Sequence, residues 1–158
     1  MIRIGHAWDT HKLQEGRKLF LGGKEFKSNV GLLGHSDADV VLHAVAESLL
    51  GALALGDLGK FYPDNSDKTL NMDSKIILVE CYQRILDLGY KINNIDLTIY
   101  AEFVKISPIR EEIRQSIADL LKINLDQVSV KATTWEKMGF VGRGEAMACE
   151  AVCLVSND

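Results

Sequence analysis

Asp9 and His11 stand two residues apart near the start of the chain, and His43 follows in a segment of helical periodicity. In an extended segment residues two apart project to the same side, so the carboxylate and the imidazole can reach one ion. Two imidazoles and one carboxylate suit zinc. Three protein ligands leave a fourth position for water or substrate, the pattern of a catalytic centre. The plain alternative is a hydrogen-bonded pair at a strand end, and the Asp-x-His spacing taken alone favours it. The placement of the histidines argues the other way, because all 4 lie at or before position 43 of 158 residues. His43 shares a polar stripe with Ser36, Asp39 and Glu47, opposite an apolar helical face, and Asp39 or Glu47 is expected to orient its ring.

Three further groups carry polar chemistry. His35, Ser36 and Asp37 precede the His43 helix, where amides, the Ser36 hydroxyl and the helix dipole would cradle a phosphate; a plain N-cap explains Ser36 equally well. Asp57 with Gly59, and Pro63 with Asp64, place carboxylates on glycine-containing loop, suited to a polyol or simply solvated. Thr133, Thr134, Trp135, Glu136 and Lys137 end a strand and run into Gly139, Gly142, Arg143 and Gly144. Hydroxyls, a carboxylate and cations together suit phosphate and a hard divalent ion, whereas the glycines alone fit a long hairpin loop. Cys149 and Cys153 share one face of an apolar strand and read as small buried thiols. With 3 cysteines and no Cys-x-x-Cys pair, neither a disulfide framework nor a thiolate zinc site is expected.

The elements that must position these groups follow from the hydrophobic periodicity. Ile2, Ile4, Leu19 and Leu21 around Gly22-Gly23 predict two short strands and a turn, with the metal candidates beginning where the first strand ends. Ser36 and Asp39 at capping-box spacing, followed by Val40, Val41, Ala44, Val45, Leu49 and Leu53, predict a helix from about Asp37 to Leu55. Asp73 or Ser74 caps a second helix, with Ile76, Ile77, Ile85 and Leu86 inward and Gly89 as its stop. Ile95, Leu97 and Ile99 alternate as a strand. Ser107-Pro108 opens a helix with Ile109, Ile113, Ile117, Leu120 and Leu121 inward, and Val128 and Val130 begin another strand. Ala146 to Val155 is apolar at nearly every position, as in a strand covered by helices or by another subunit. This order predicts one domain over residues 1–158, an α+β fold of ferredoxin-like split β-α-β type with helices on one face of a mixed sheet.

A net charge of -4 gives no basic field to attract a nucleic-acid backbone. The apolar runs fall short of the ~20 residues that crossing a bilayer takes. The opening Met-Ile-Arg-Ile-Gly-His shows no charged region followed by an apolar run, so a cytoplasmic protein, or an organelle protein already processed, is expected.

Taken together, Gly5-His6 with Asp9-x-His11, His35-Ser36-Asp37-x-Asp39 with His43, Gly56-Asp57-x-Gly59, Pro63-Asp64, and the run from Lys131 to Gly144 resemble the 2-C-methyl-D-erythritol 2,4-cyclodiphosphate synthase family, in unbroken order along the chain. The resemblance implies a lyase of non-mevalonate isoprenoid biosynthesis, converting 4-diphosphocytidyl-2-C-methyl-D-erythritol 2-phosphate to the cyclic diphosphate with release of CMP. It also implies a homotrimer whose active sites lie between subunits, zinc held by one and the cytidine pocket supplied by its neighbour. Carried onto this chain, it makes Asp9, His11 and His43 the zinc ligands and gives His35, Thr134 and Glu136 catalytic roles. His35 and Ser36 would face the phosphates; Asp57, Gly59, Tyr62 and Asp64 would serve the methylerythritol part. Ala101 to Ser107, including Lys105 and Ile106, would line the cytosine pocket, with Thr133, Thr134 and Glu136 near the phosphates and a second ion, magnesium or manganese. Family members can also bind an isoprenoid diphosphate in a central cavity, for which Trp8, Phe140, Arg143 and Glu150 are the matching positions. Trp8, Gly34, Ala38 and Trp135 depart from the common residues, as do Val104 before Lys105 and Ile109 after Pro108, and none of these removes an implied ligand. Two rivals are a zinc phosphoesterase, using metal hydroxide to release an uncyclised product, and a ferredoxin-like nucleotide-binding module with a structural metal.

Overall fold

The computed structural model describes residues 1–158 apart from positions 64, 66 and 68. The Asp64 expectation therefore lies outside the described residues. In chain order the elements are β1 (Ile2–Glu15), β2 (Leu19–Leu21), β3 (Lys24–Phe26), β4 (Val30–Leu33), α1 (Val40–Ala52), α2 (Leu58–Phe61), α3 (Ser74–Asp87) and β5 (Lys91–Tyr100). A 3-10 turn (Ser107–Ile109), α4 (Arg110–Leu121), β6 (Val128–Thr133), α5 (Gly139–Gly142) and β7 (Ala146–Ser156) complete the chain.

Five strands form one mixed sheet in the order β4-β1-β7-β5-β6, and β2 pairs with β3 apart from it. β7 runs antiparallel to both β1 and β5, so these two are parallel to each other with β7 inserted between them; β5 and β6 pair in parallel directly. The fold is thus α+β around a mixed sheet, with α1 packed on β1 and β7, α3 on α1, and α4 on β6. Alternation along β1 separates the two faces. Gly5, Ala7, Asp9 and His11 turn toward α1, while Ile4, His6, Trp8 and Thr10 turn away and are exposed. That outer face is apolar as well, with Ile2 62%, Ile4 68% and Val152 40% exposed.

The approach of α1 to β1 is set by the smallest side chains. A Cβ on Gly5 would lie 1.8 Å from the Ser48 carbonyl oxygen, so only glycine fits there. On α1 the facing stripe is Ala44, Ser48 and Ala52, all buried and four residues apart. At its N-terminus α1 is fixed by Asp39, which is fully buried. Its carboxylate accepts from the amides of Val41 (3.1 Å) and Leu42 (3.0 Å) as the N-cap, and from Gly22 (3.0 Å) and Gly23 (2.6 Å) in the β2–β3 turn. Both turn glycines have positive φ, which presents their amides to this one acceptor. Burial pushes the Asp39 pKa upward against the pull of the amides.

Several expectations need correction. The first strand is 14 residues long rather than short, so Asp9 and His11 lie within it instead of at its end. β7 supplies the partner that extends it, a long-range pairing that local periodicity does not encode. The helix expected from Asp37 starts at Val40, because Asp39 rather than Ser36 is its cap. Ile76 (48%) and Leu86 (37%) are exposed on α3, whereas Ile77 and Ile85 are buried. Asp57 caps a one-turn helix by accepting from the Lys60 amide (3.0 Å), and Gly139–Gly142 forms another such helix rather than a hairpin loop. The strands and helices expected around Ile95 to Ile99, Ile113 to Leu121, Val128 and Ala146 to Val155 are present, with Cys149 and Cys153 buried on one face.

Asp39→Ala removes the shared acceptor of four amides, three of them in buried surroundings. It is expected to lower the unfolding free energy by about 2–4 kcal/mol, read as a lower urea midpoint, with Asp39→Asn losing less.

Candidate metal centre and its cavity

β1 and α1 bring the three expected ligands together. Asp9 Oδ2 lies 2.9 Å from His11 Nε2 and 3.4 Å from His43 Nδ1, and the two nitrogens are 3.2 Å apart. A tetrahedral zinc with bonds of about 2.0–2.1 Å has ligand atoms roughly 3.3 Å apart, so the triangle has the right size and leaves one apex open. Among the described residues it is the cluster of histidine, cysteine and carboxylate donors close enough to share an ion.

The donor chemistry agrees with the geometry. His11 Nδ1 lies 3.2 Å from the Leu33 carbonyl oxygen, which can only accept, so in the neutral ring the proton sits on Nδ1 and Nε2 presents its lone pair. Asp9 Oδ2 is buried and no well-aligned hydrogen bond reaches it. Bare acceptors facing one another call for a cation. A proton on His11 is the stand-in: burial lowers the His11 pKa, but the Asp9 carboxylate more than reverses this and the net shift is upward. Burial opposes ionisation of Asp9 too, yet the two imidazoles hold its pKa at about 2.

The expected orienting residues of His43 are different ones. Asp39 is spent on the four amides, and Glu47 accepts from the Leu58 amide (3.3 Å). His43 Nε2 instead meets Ser74 Oγ at 2.8 Å and Ser36 Oγ at 3.3 Å. Ser74 was expected only as an alternative cap of α3, a role that Asp73 takes; its place in the first turn of α3, facing α1, comes from helix packing. The proposed phosphate cradle at the start of α1 also needs revision. The amides of Val41 and Leu42 are occupied by Asp39, that of Ala38 by Ser36 Oγ (3.1 Å), and that of Asp39 by Asp37 (3.2 Å), so most of the amides of that cradle are already bonded within the chain.

The triad opens into a cavity of about 410 Å3 that His35, Ser36, Glu47, Gly59 and Tyr62 also line. Asp57 stands outside that lining, at the start of α2. A second cavity, about 440 Å3, is lined by Ala101, Lys105, Ile106, Ser107, Thr133 and Thr134. Thr134 Oγ1 donates to Glu136 Oε1 (3.2 Å), and Glu102, within the expected Ala101 to Ser107 wall, accepts from the Trp135 amide (3.1 Å) and ties the two walls together. Phe140 packs against Trp8 and Trp135, and Arg143 pairs with Glu145 at 2.6 Å.

These two cavities do not meet within one chain. Thr10, Ala148, Tyr100 and Thr133 form one row across β1, β7, β5 and β6. Three strand spacings separate the ends of this row, roughly 14 Å. Asp9 and His11, flanking Thr10, point to the α1 face, whereas Thr133 belongs to the outer face.

Comparison with known proteins matches residues 2–156 to the YgbB family. A relative from Haemophilus ducreyi, named 2-C-methyl-D-erythritol 2,4-cyclodiphosphate synthase, is 49% identical over 156 residues, covering 99% of this chain and 98% of its own. The bifunctional IspDF structure from Campylobacter jejuni superposes with a TM-score of 0.94 at 35% identity, over 98% of this chain and 42% of that longer one. IspF from Plasmodium falciparum, solved as a CDP complex, gives 0.86 at 38% identity, with coverages of 98% and 95%.

Proton and metal compete for His11, and the sign of each effect is fixed. A histidine with a raised pKa stabilises the fold below its unfolded value of 6.5, and that contribution is lost as pH rises through the folded pKa; the Asp9 contribution persists until pH falls toward 2. Chelator-treated protein should therefore gain stability from the His11–Asp9 pair as pH falls through the raised folded pKa of His11 to its unfolded value of 6.5, while the rise in Tm on adding zinc shrinks over the same interval. Thermal melts of native and Asp9→Asn protein, with and without zinc, check this; a zinc-induced rise independent of pH would place the ion elsewhere.

Proposed function

Because the chain belongs to the YgbB family, we propose that it converts 4-diphosphocytidyl-2-C-methyl-D-erythritol 2-phosphate to 2-C-methyl-D-erythritol 2,4-cyclodiphosphate, releasing CMP. The observation that carries this reading is the Asp9–His11–His43 triangle, set in a chain 49% identical along its length to named synthases. An oxygen of the substrate's 2-phosphate forms a bond to the β-phosphorus, and the bond from that phosphorus to the bridging oxygen breaks, CMP keeping the oxygen. The nucleophile is already ionised near neutral pH, so no activated serine or cysteine is needed. The buried thiols agree: burial raises the pKa of both Cys149 and Cys153.

Zinc on Asp9, His11 and His43 would supply Lewis acidity and neutralise diphosphate charge, helped by a magnesium or manganese ion on the phosphates. The protein's share is positioning. His35 and Ser36 hold the phosphates at the mouth of the triad, and Asp57, Gly59, Tyr62 and Asp64 take the methylerythritol hydroxyls. Ala101, Lys105, Ile106 and Ser107 enclose the cytosine; Thr133, Thr134 and Glu136 bind its phosphates and second ion. Phe140 and Arg143 complete the substrate contacts. Folding the substrate so that the 2-phosphate faces the β-phosphorus in line is then the main catalytic effect.

The assembly we propose is a homotrimer of single 1–158 domains of ferredoxin-like type. Its support is physical: the metal cavity and the nucleotide cavity share no lining residue, and an exposed apolar sheet face awaits cover. A neighbour's Ala101–Ser107 wall then faces this chain's metal. An isoprenoid diphosphate on the trimer axis would meet Trp8, Phe140, Arg143 and Glu150 of the outer face. A cytoplasmic location is part of the same proposal and fits the bacterial source of the relatives.

Incubation with the cytidyl substrate in 18O water tests the chemistry. CMP and a cyclic product free of solvent oxygen are expected, with turnover lost on chelation; a linear phosphate carrying 18O would make the protein a phosphoesterase instead. Assembly is tested by mixing two inactive variants, His43→Ala and Thr134→Ala, after unfolding and reassembly. Sites shared between subunits should regain about a quarter of native activity, whereas sites built within one chain should regain none.

A further inference from the structure

Ser74 is buried, and its hydroxyl donates to Asp37 Oδ1 while its amide donates to Asp37 Oδ2 at 3.0 Å. A serine hydroxyl has a single proton, and here it is used on a carboxylate, which cannot donate. Toward His43 Nε2, 2.8 Å away, Ser74 Oγ can therefore only accept. The Nε2 position must carry the ring proton. Ser36 Oγ, at 3.3 Å, could donate to a bare Nε2, but Ser74 would then face the same nitrogen lone pair to lone pair at the shorter distance.

We propose that Asp37 and Ser74 are positioning residues that fix the tautomer of His43, forcing its Nδ1 lone pair toward Asp9 Oδ2 and His11 Nε2. The inference deepens the metal-centre reading and rests on it. The geometry is held from both sides. The Asp37 amide donates to the Met72 carbonyl (3.2 Å), the Asn71 amide to the His35 carbonyl (2.8 Å), and Asp73 caps α3 immediately before Ser74. The segment carrying His35 and Ser36 is thus strapped to the start of α3, and the same strap carries the relay to the metal. His11 receives the matching service from the Leu33 carbonyl, so each imidazole has its non-ligating nitrogen assigned by a different element.

The test has two readings. In native apo protein, histidine 15N shifts should report the Nε2–H tautomer for His43, and a dominant Nδ1–H form would overturn the proposal whether or not any variant folds. Zinc affinity measured against a chromophoric chelator should fall about 10–100-fold in Ser74→Ala, with a smaller loss in Asp37→Asn, while the melting temperature of the apo form changes little. A folded Ser74→Ala protein that binds zinc within about threefold of native, with His43 still in the Nε2–H form, overturns it as well. Failure of the native chain to bind zinc at all would instead sink the metal-centre reading, leaving the tautomer measurement to decide the relay.

Discussion

The contact between Gly5 and the Ser48 carbonyl governs where the chemistry sits. A hydrogen in place of a side chain lets α1 lie on β1 at backbone distance, and His43, one helical turn before Glu47, then hangs over the two strand residues that share its metal. The contact fixes distance but not rotation. Asp39 supplies the second constraint, pinning the first turn of α1 to the β2–β3 turn through four amides. With distance and phase both set, the three donor atoms converge to within 3.4 Å although His11 and His43 are 32 positions apart in the chain.

Local pattern made much of this legible. The apolar stripe of α1, the β5 alternation and the buried run of β7 depend on neighbours in sequence and stand where periodicity put them, and the three ligand candidates do come together. What escaped depends on neighbours in space. The length of β1 is set by pairing with β7, more than 130 positions away, and the true role of Asp39 becomes visible only when Gly22 and Gly23 fold back against it. Ser74 is the clearest case. A serine at a helix start looks like a cap, and nothing in its own segment shows that its hydroxyl faces an imidazole from another helix. Family resemblance supplied what spacing could not, a reason to prefer a metal to a simple hydrogen-bonded pair.

Electrostatically the centre is a compromise between two occupants. A carboxylate and two imidazoles that are mostly withdrawn from water are costly to leave unmatched, and either a proton or a divalent ion relieves them. The outer face of the sheet carries a parallel arrangement in Glu150, which accepts from Tyr100 (2.7 Å) and meets His6 (2.8 Å), so the two sides of one β1–β7 pairing hold separate carboxylate–histidine groups. The sheet keeps them apart by directing odd and even positions of β1 to opposite sides.

The stripe of Ala44, Ser48 and Ala52 has a consequence for how this chain can drift. In an ordinary core an added methylene costs about 1–3 kcal/mol, as side chains and backbone shift around it. At Gly5, which faces this stripe, an added Cβ would meet the Ser48 carbonyl oxygen at 1.8 Å, so a larger residue there must lift the helix that carries His43. A slightly larger residue would widen the triangle by tenths of an ångström before it unfolded anything. Such variants would be soluble, cooperatively folded and metal-poor, so damage to this part of the sequence would be seen in elemental analysis well before it was seen in a melting curve.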